Sequence, residues 1–454
     1  MTQLKTFLSP ALTSAALTAM LGAAVPCAPV LAAPSGWVAT WQASPQPVWG
    51  PGFLFPTHAP SELRDQTVRQ IVRVSLGGQR LRIELSNAYG NQPVTLGKAT
   101  VAVVTAGGET VPGSLRRVTF GGRDGASIPP GASSFSDPVA LPLPALAHLA
   151  VSVYVPDATA VSTFHWDGRQ TGWVVPGEQV SASVPVSVSV PAPAPVLVQA
   201  QAQANDGPQR TTARLLLTGV HIEAGPAARA VVVMGDSITD GATATLDQNR
   251  RWPDFLAVRL APRGVAVVNA GISGARLLAD GMGANALARL GRDVLAQPGV
   301  CSVIVMLGIN DISWPGTAFA RTARRPTLGD LTAGYQQVVT QAHSHGIRVI
   351  GATLTPFEGA LPGTPLDDYY QPDKDALRQQ VNDWIRHSGT FDAVIDFDAV
   401  LQDPAHPNRI AARYDSGDHL HPGDEGNRAM AEVVDIDALL PPGAPPEGNT
   451  PPGT

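Results

Sequence analysis

Hydrophobic and polar positions follow two different rhythms along the chain. From Trp37 to about Val220, short β-type runs are broken by Gly, Pro and Asn. Thr67–Ser75 mixes branched apolar residues with Arg, and after the Gly77-Gly78 turn Leu81-Arg-Ile-Glu-Leu85 alternates with period two, as a strand with one buried face does. Val101–Val104, Val118–Phe120 and Leu149–Val155 repeat the style, and Leu215–Ile222 reads as a last strand closing this region. No helical stretch of comparable length competes, which predicts an antiparallel sandwich or jelly roll.

From Arg229 the rhythm changes. Ala230–Met234, Val265–Asn269, Ser302–Leu307, Ile347–Thr353 and Ala393–Phe397 are short, nearly continuous apolar runs of the kind that become buried parallel strands. Between them, helical patterns cover Trp252–Leu260, Asn285–Leu295, Leu328–His345 and Asp373–His387, with Gly346 placed to stop the third. Strands alternating with helices predict right-handed βαβ units and a doubly wound parallel sheet. The fold class expected is therefore α/β, preceded by an all-β domain.

Composition adds boundaries. The chain has 454 residues, enough for two domains, and Gly 45 with Pro 42 makes about a fifth of it turn-forming. Lys5, an apolar Ala11–Ala24 stretch and Val30-Leu31-Ala32 read as a signal peptide over 1–32, with Pro10 and Pro26 making the apolar run too short for a membrane anchor. A secreted or periplasmic protein follows, with no integral membrane segment after its removal. Residues 33–225 are expected to form the β-domain, with a low-complexity loop near 181–205, residues 226–440 the α/β domain, and residues 441–454 a disordered Pro/Gly-rich tail. Beyond the leader only Cys301 is left, so no intramolecular disulfide is expected. A net charge of −6 provides no basic field and argues against a nucleic-acid partner.

In a doubly wound sheet the ligand site lies beyond the carboxyl ends of the strands, so the residues there carry the chemistry. The first strand ends in Gly235-Asp236-Ser237-Ile238-Thr239, where a strand-to-helix turn can expose the Ser237 hydroxyl and aim its amide at an oxyanion. Phosphate binding by such a turn is the competing reading. Gly271, Gly274 and Asn310 follow the second and third strands; they can supply further oxyanion donors or simply serve as turn residues and a helix cap. Beyond the fifth strand, Asp418 stands three residues before His421 and can orient its imidazole to take the Ser237 proton. His419 and His421 as a metal pair is the alternative, but no further ligands of suitable spacing are seen. Asp236 and Asp240 are expected to cap the first helix turn, and Asp311 to brace its loop. Trp314, Tyr369 and Tyr370 are candidate cleft-lining aromatics. His343 and His345 suit the end of their helix.

Together, Gly235-Asp236-Ser237-Ile238, Gly274, Gly308-Ile309-Asn310-Asp311 and Asp418-His419-Leu420-His421-Pro422 resemble the blocks of the GDSL/SGNH hydrolases in order and spacing, across about 210 residues. Ile238 replaces the name-giving Leu, and Ala275 follows the second-block Gly. The resemblance implies a flavodoxin-like fold, a serine esterase that needs no metal or other cofactor, Ser237 as nucleophile, Asp418 and His421 as its partners, and an oxyanion hole from Ser237, Gly274 and Asn310. Trp37–Pro45, Arg73–Gly78 and Leu85–Gly90 resemble strings preceding the hydrolase domain in a secreted bacterial subset. The expected substrate is an O-acylated, chiefly acetylated, carbohydrate or another short-chain ester. A lipase is the close alternative, and an acyltransferase or a non-catalytic carbohydrate-binding protein are the more distant ones.

Overall fold

A computed structural model describes residues 36–50, 52–57, 59–182 and 207–440. The expected leader, nearly all of the 181–205 loop and the 441–454 tail lie outside the described residues. Among the described residues no helix is long and apolar enough to cross a membrane.

The five apolar runs after Arg229 form one parallel sheet: β1 (Arg229–Gly235), β2 (Val265–Asn269), β3 (Val300–Met306), β4 (Arg348–Ala352) and β5 (Ala393–Ile395). Their order is β2-β1-β3-β4-β5, the flavodoxin-like arrangement, with Val232 in register with Val268 on one side and Val303 on the other. Helices Trp252–Leu260, Leu328–Ser344 and Pro372–His387 cover it close to their expected bounds. The helix expected over 285–295 is capped by the Asn285 side chain, runs as α over Ala286–Leu290 and widens to a π turn over Gly291–Leu295. Gly346 ends its helix at φ +71.

Among the described residues, the N-terminal region builds two large antiparallel sheets and three small ones of two or three strands. Trp37–Gln42, Leu217–Glu223, Gly78–Ser86 and Ser133–Phe135 pair in that order, and Val139–Leu143 also joins Gly78–Ser86. Gln66–Arg73 and His148–Val155 lie at the centre of a second, six-stranded sheet. Leu81, Ile83 and Leu85 are fully buried, as their alternation requires. The single strand expected at 215–222 is two. Leu216 adopts φ +65, so Arg214–Leu215 pairs with Thr163–His165 while Leu217–Glu223 runs inside the first sheet rather than closing it.

The β-rich and α/β regions share one apolar core. Val220, Val151 and Phe164 cluster with Ala230, Ala266, Met282, Trp314 and Tyr369. The strand Trp37–Gln42 packs on β2, the sheet's edge; nearby, Ala39 N donates to Pro298 O at 2.9 Å, and Val267 N of β2 to Ser75 Oγ at 3.0 Å.

Candidate active site

β1 is fully buried from Ala230 to Gly235, where a Cβ would stand 2.1 Å from Thr239 Oγ1, so only glycine permits so tight a turn. Asp236 caps the one-turn helix Ser237–Asp240, its Oδ1 accepting from Ile238 N at 3.0 Å. That turn presents the Ser237 hydroxyl at the carboxyl edge of the sheet. His421 Nε2 lies 2.8 Å from Ser237 Oγ, across 184 residues of sequence. On the other side of the ring, Asp418 Oδ2 is 2.6 Å from Nδ1, while Asp418 Oδ1 accepts from the amides of Leu420 and His421. The loop thus folds back on one carboxylate and fixes the ring plane. Pro422 precedes the Gly423 cap of the Asp424–Val433 helix.

Burial disfavours charge on His421, but the charge and hydrogen bond of Asp418 outweigh it and leave the imidazole pKa raised. Burial opposes ionisation of Asp418 too, yet His421 and the loop amides hold its carboxyl well below the usual range. Asp418 therefore accepts from Nδ1–H, which leaves Nε2 with a lone pair for the Ser237 proton.

Gly274 follows β2 with φ +71, and a Cβ there would meet Met282 Sδ at 2.7 Å and Trp314 Cζ2 at 2.8 Å. Asn310, in the short helix Ile309–Ser313 after β3, donates through Nδ2 to Ala275 O at 3.0 Å, leaving its second amide hydrogen uncommitted by that bond. Tyr369 donates its hydroxyl to Asn310 Oδ1 at 2.8 Å; the Ala275 carbonyl, which can only accept, fixes which end of the amide is nitrogen. Among the described residues, neither the Ser237 nor the Gly274 amide has a hydrogen-bond acceptor.

Two expected cleft aromatics are corrected. Trp314, 3% exposed, lies behind Gly274 beneath the Arg276 guanidinium, and Tyr369, 2% exposed, braces Asn310 from the core. Apolar area is the reason, since both rings complete the shared core. Tyr370 is half-buried with its ring 5.2 Å from Phe357. Asp311 accepts from Leu277 N at 2.7 Å and Leu278 N at 2.9 Å, bracing the turn after β2, and burial pushes its pKa up to about 6. Asp236 is buried with Oδ2 lacking a partner among the described residues, and burial lifts it to about 7. His419 pairs with the Asp415 carboxylate, and His343 with Asp392 at 2.9 Å.

Several contributors escape local sequence reading. Asp240, expected only as a cap, binds His165 of the β-rich region and Ser273 beside Gly274. Arg289, fully buried, donates to Ala270 O and Gly235 O behind the Ser237 turn. Lys374 Nζ donates to Ser313 O and Asp368 O, both at 2.8 Å, and to Tyr369 O. No motif marks these residues, because most of their partners, such as His165 for Asp240 and Ser313 for Lys374, lie far away in sequence.

The profile of the GDSL-like lipase/acylhydrolase family matches residues 231–434. The α/β region is a GDSL-like lipase/acylhydrolase domain. The GDSL-like match contains Ser237, Gly274, Asn310, Asp418 and His421, and leaves the β-rich region outside. Similar solved structures include a GDSL-like lipase from Bacteroides thetaiotaomicron, 20% identical, covering 46% of this chain and 87% of its own with a TM-score of 0.34. Another is an acetyl xylan esterase, AlAXEase, 19% identical, covering 45% of this chain and 96% of its own at 0.32. No curated protein matches the chain.

Proposed function

We propose that this GDSL-like hydrolase is an exported serine esterase that works through an acyl-enzyme, with Ser237 as nucleophile, His421 as base and Asp418 as its orienter. The observation that carries the reading is the continuous line Asp418–His421–Ser237, at 2.6 and 2.8 Å, on the carboxyl edge of the sheet. Ser237 Oγ bonds to the ester carbonyl carbon as its proton passes to His421 Nε2. The carbonyl oxygen, now negative, is received by the Ser237 and Gly274 amides and Asn310 Nδ2. The C–O bond to the alcohol then breaks, and His421 returns the proton to the leaving oxygen. Water attacks the acyl-enzyme with the same base, releasing the acid and restoring Ser237 Oγ–H.

The substrate proposed is an acylated, chiefly acetylated, carbohydrate. The partly buried rings of Trp49, Phe53 and Phe55 from the β-rich region join Phe319, which stacks on Trp314 at 4.3 Å behind Gly274. Such faces suit a pyranose ring, and a long acyl chain would use the same surface. The test is intact mass after fluorophosphonate treatment of wild type and Ser237→Ala, with p-nitrophenyl acetate turnover alongside. One adduct and turnover, both lost in the variant, are expected; an adduct surviving Ser237→Ala refutes the nucleophile. Acetate release from an acetylated polysaccharide against hydrolysis of p-nitrophenyl palmitate then separates the carbohydrate esterase from the lipase.

A further inference from the structure

Two short strands of the β-rich region, Gln46–Pro47 and Thr163–His165, pair with Gln46 opposite Phe164 and place two buried polar side chains against the hydrolase turns. His165, 4% exposed, sets Nδ1 3.1 Å from Ser44 O and Nε2 3.0 Å from Asp240 Oδ1. A carbonyl oxygen only accepts, so Nδ1 carries a hydrogen. Asp240 Oδ2 accepts from both Ser273 N at 2.9 Å and Ser273 Oγ at 2.8 Å, as a carboxylate does, and the Nε2 hydrogen completes a buried imidazolium. Burial disfavours that charge and Arg214, opposite His165 in register, opposes it as well. The charge and hydrogen bond of Asp240, with the Ser44 carbonyl, still leave the pKa of His165 raised.

Asp240 is the last residue of the helical turn that Ser237 begins, and Ser273 immediately precedes Gly274. One carboxylate therefore ties the nucleophile turn to the Gly274 turn. Gln46 holds the same turn from another side: its Nε2 donates to Met282 O at 2.8 Å, its Oε1 accepts from Trp166 N at 2.8 Å, and the Met282 sulfur fills the space against Gly274. Gln46 is fully buried.

We propose that His165 and Gln46 are positioning residues of the ester-hydrolase site: acting through Asp240 and Met282, they hold the Ser273–Gly274 turn, so the β-rich region completes the oxyanion hole. The proposal rests on the serine-esterase reading above. On this view the β-rich region is neither a detachable cap nor only a carbohydrate-binding module. It supplies part of the pre-organisation on which transition-state stabilisation depends.

The test compares full-length wild type with His165→Leu, His165→Gln and Gln46→Leu. The readouts are kcat and KM on p-nitrophenyl acetate, hydrogen exchange of the 271–276 amides, and 15N shifts of the His165 ring in the wild type. His165→Leu should lower kcat on the order of 10²-fold, as for misplaced catalytic groups, leave KM within about threefold, and speed exchange across 271–276. His165→Gln, whose amide nitrogen can still donate to Asp240, should regain all but about tenfold of kcat. Gln46→Leu should speed the same exchange. Unchanged kcat in His165→Leu, or a fall in kcat without faster exchange across 271–276, overturns the positioning role. If His165→Leu fails to fold, the ring shifts decide: two protonated nitrogens near neutral pH support the proposal, and a neutral ring overturns it. Absence of fluorophosphonate labelling at Ser237 in wild type overturns the esterase reading and the catalytic role together. A labelled, active wild type with an unaffected His165→Leu overturns the positioning role alone.

Discussion

Tyr369→Phe isolates the support of one proposed oxyanion donor, Asn310. The substitution removes one hydroxyl and leaves the ring in the core, edge-on to Phe357 with centroids 6.0 Å apart. Burial holds the phenol well above its usual pKa, so in wild type it is a permanent donor to Asn310 Oδ1 at 2.8 Å. Both residues are buried, at 2% and 4% exposure, so water does not readily replace the lost donor. An unsatisfied buried acceptor destabilises by about 1–3 kcal/mol, and the melting temperature should fall accordingly. The catalytic effect is bounded from above, because removing an oxyanion donor outright costs on the order of 10²–10³ in kcat. Asn310 Nδ2 remains tethered to Ala275 O at 3.0 Å, so the amide loosens without being lost. About a tenfold fall in kcat is expected, equivalent to about 1.4 kcal/mol, with KM hardly moved. The assay is steady-state hydrolysis of p-nitrophenyl acetate by wild type, Tyr369→Phe, Asn310→Ala and the double variant. If Tyr369 acts only through Asn310, its replacement has no further effect on kcat in the Asn310→Ala background. Losses that multiply in the double variant would refute the reasoning, as would a Tyr369→Phe enzyme with unaltered kcat and a lowered melting point.

Two further predictions concern pH and backbone. In the proposed mechanism the base is neutral His421, whose pKa is raised, so kcat/KM should collapse as pH falls through a value above the ordinary histidine pKa of about 6.5. Stability from the raised His421 pKa runs the other way: it is fully present below the unfolded value and is lost as pH rises through the folded one. Asp418→Asn should move the kinetic limb toward lower pH and reduce kcat; a limb that stays in place removes Asp418 from the pair. Gly274→Ala combines a left-handed backbone with a methyl group driven to 2.7 Å from the Met282 sulfur. The expected destabilisation is about 2–4 kcal/mol from strain and overpacking, with kcat falling more than KM rises. Thermal melts and kinetics that match wild type would show that the turn is not held as described.

What was legible in the chain follows from the reach of each signal. β1 to β4 are runs of branched apolar residues, because parallel strands here are covered on both faces, and their positions could be read without any partner; β5, at the far edge, leaves Val394 exposed. The strand-end placement of Ser237, Gly274 and Asn310 followed from the same rhythm, since a doubly wound sheet gathers its strand ends on one edge. Asp418 and His421 lie three residues apart, near enough for their pairing to be written locally. These relations lie within single elements and are carried by periodicity.

Tertiary structure decided whatever depends on a distant partner. Tyr369 reads as a loop aromatic until folding brings its hydroxyl to Asn310, 59 residues away. Asp240 reads as a helix-turn cap until His165, 75 residues earlier, meets it in the core. Leu216 carries no mark of the left-handed kink that splits its strand, because packing between sheets sets that angle rather than residue preference. Side-chain type and spacing settled which elements form, through local propensity and one-sided burial. Which polar atoms face one another was settled by how those elements close around a shared core, where each buried donor and acceptor must find a partner wherever the chain supplies one.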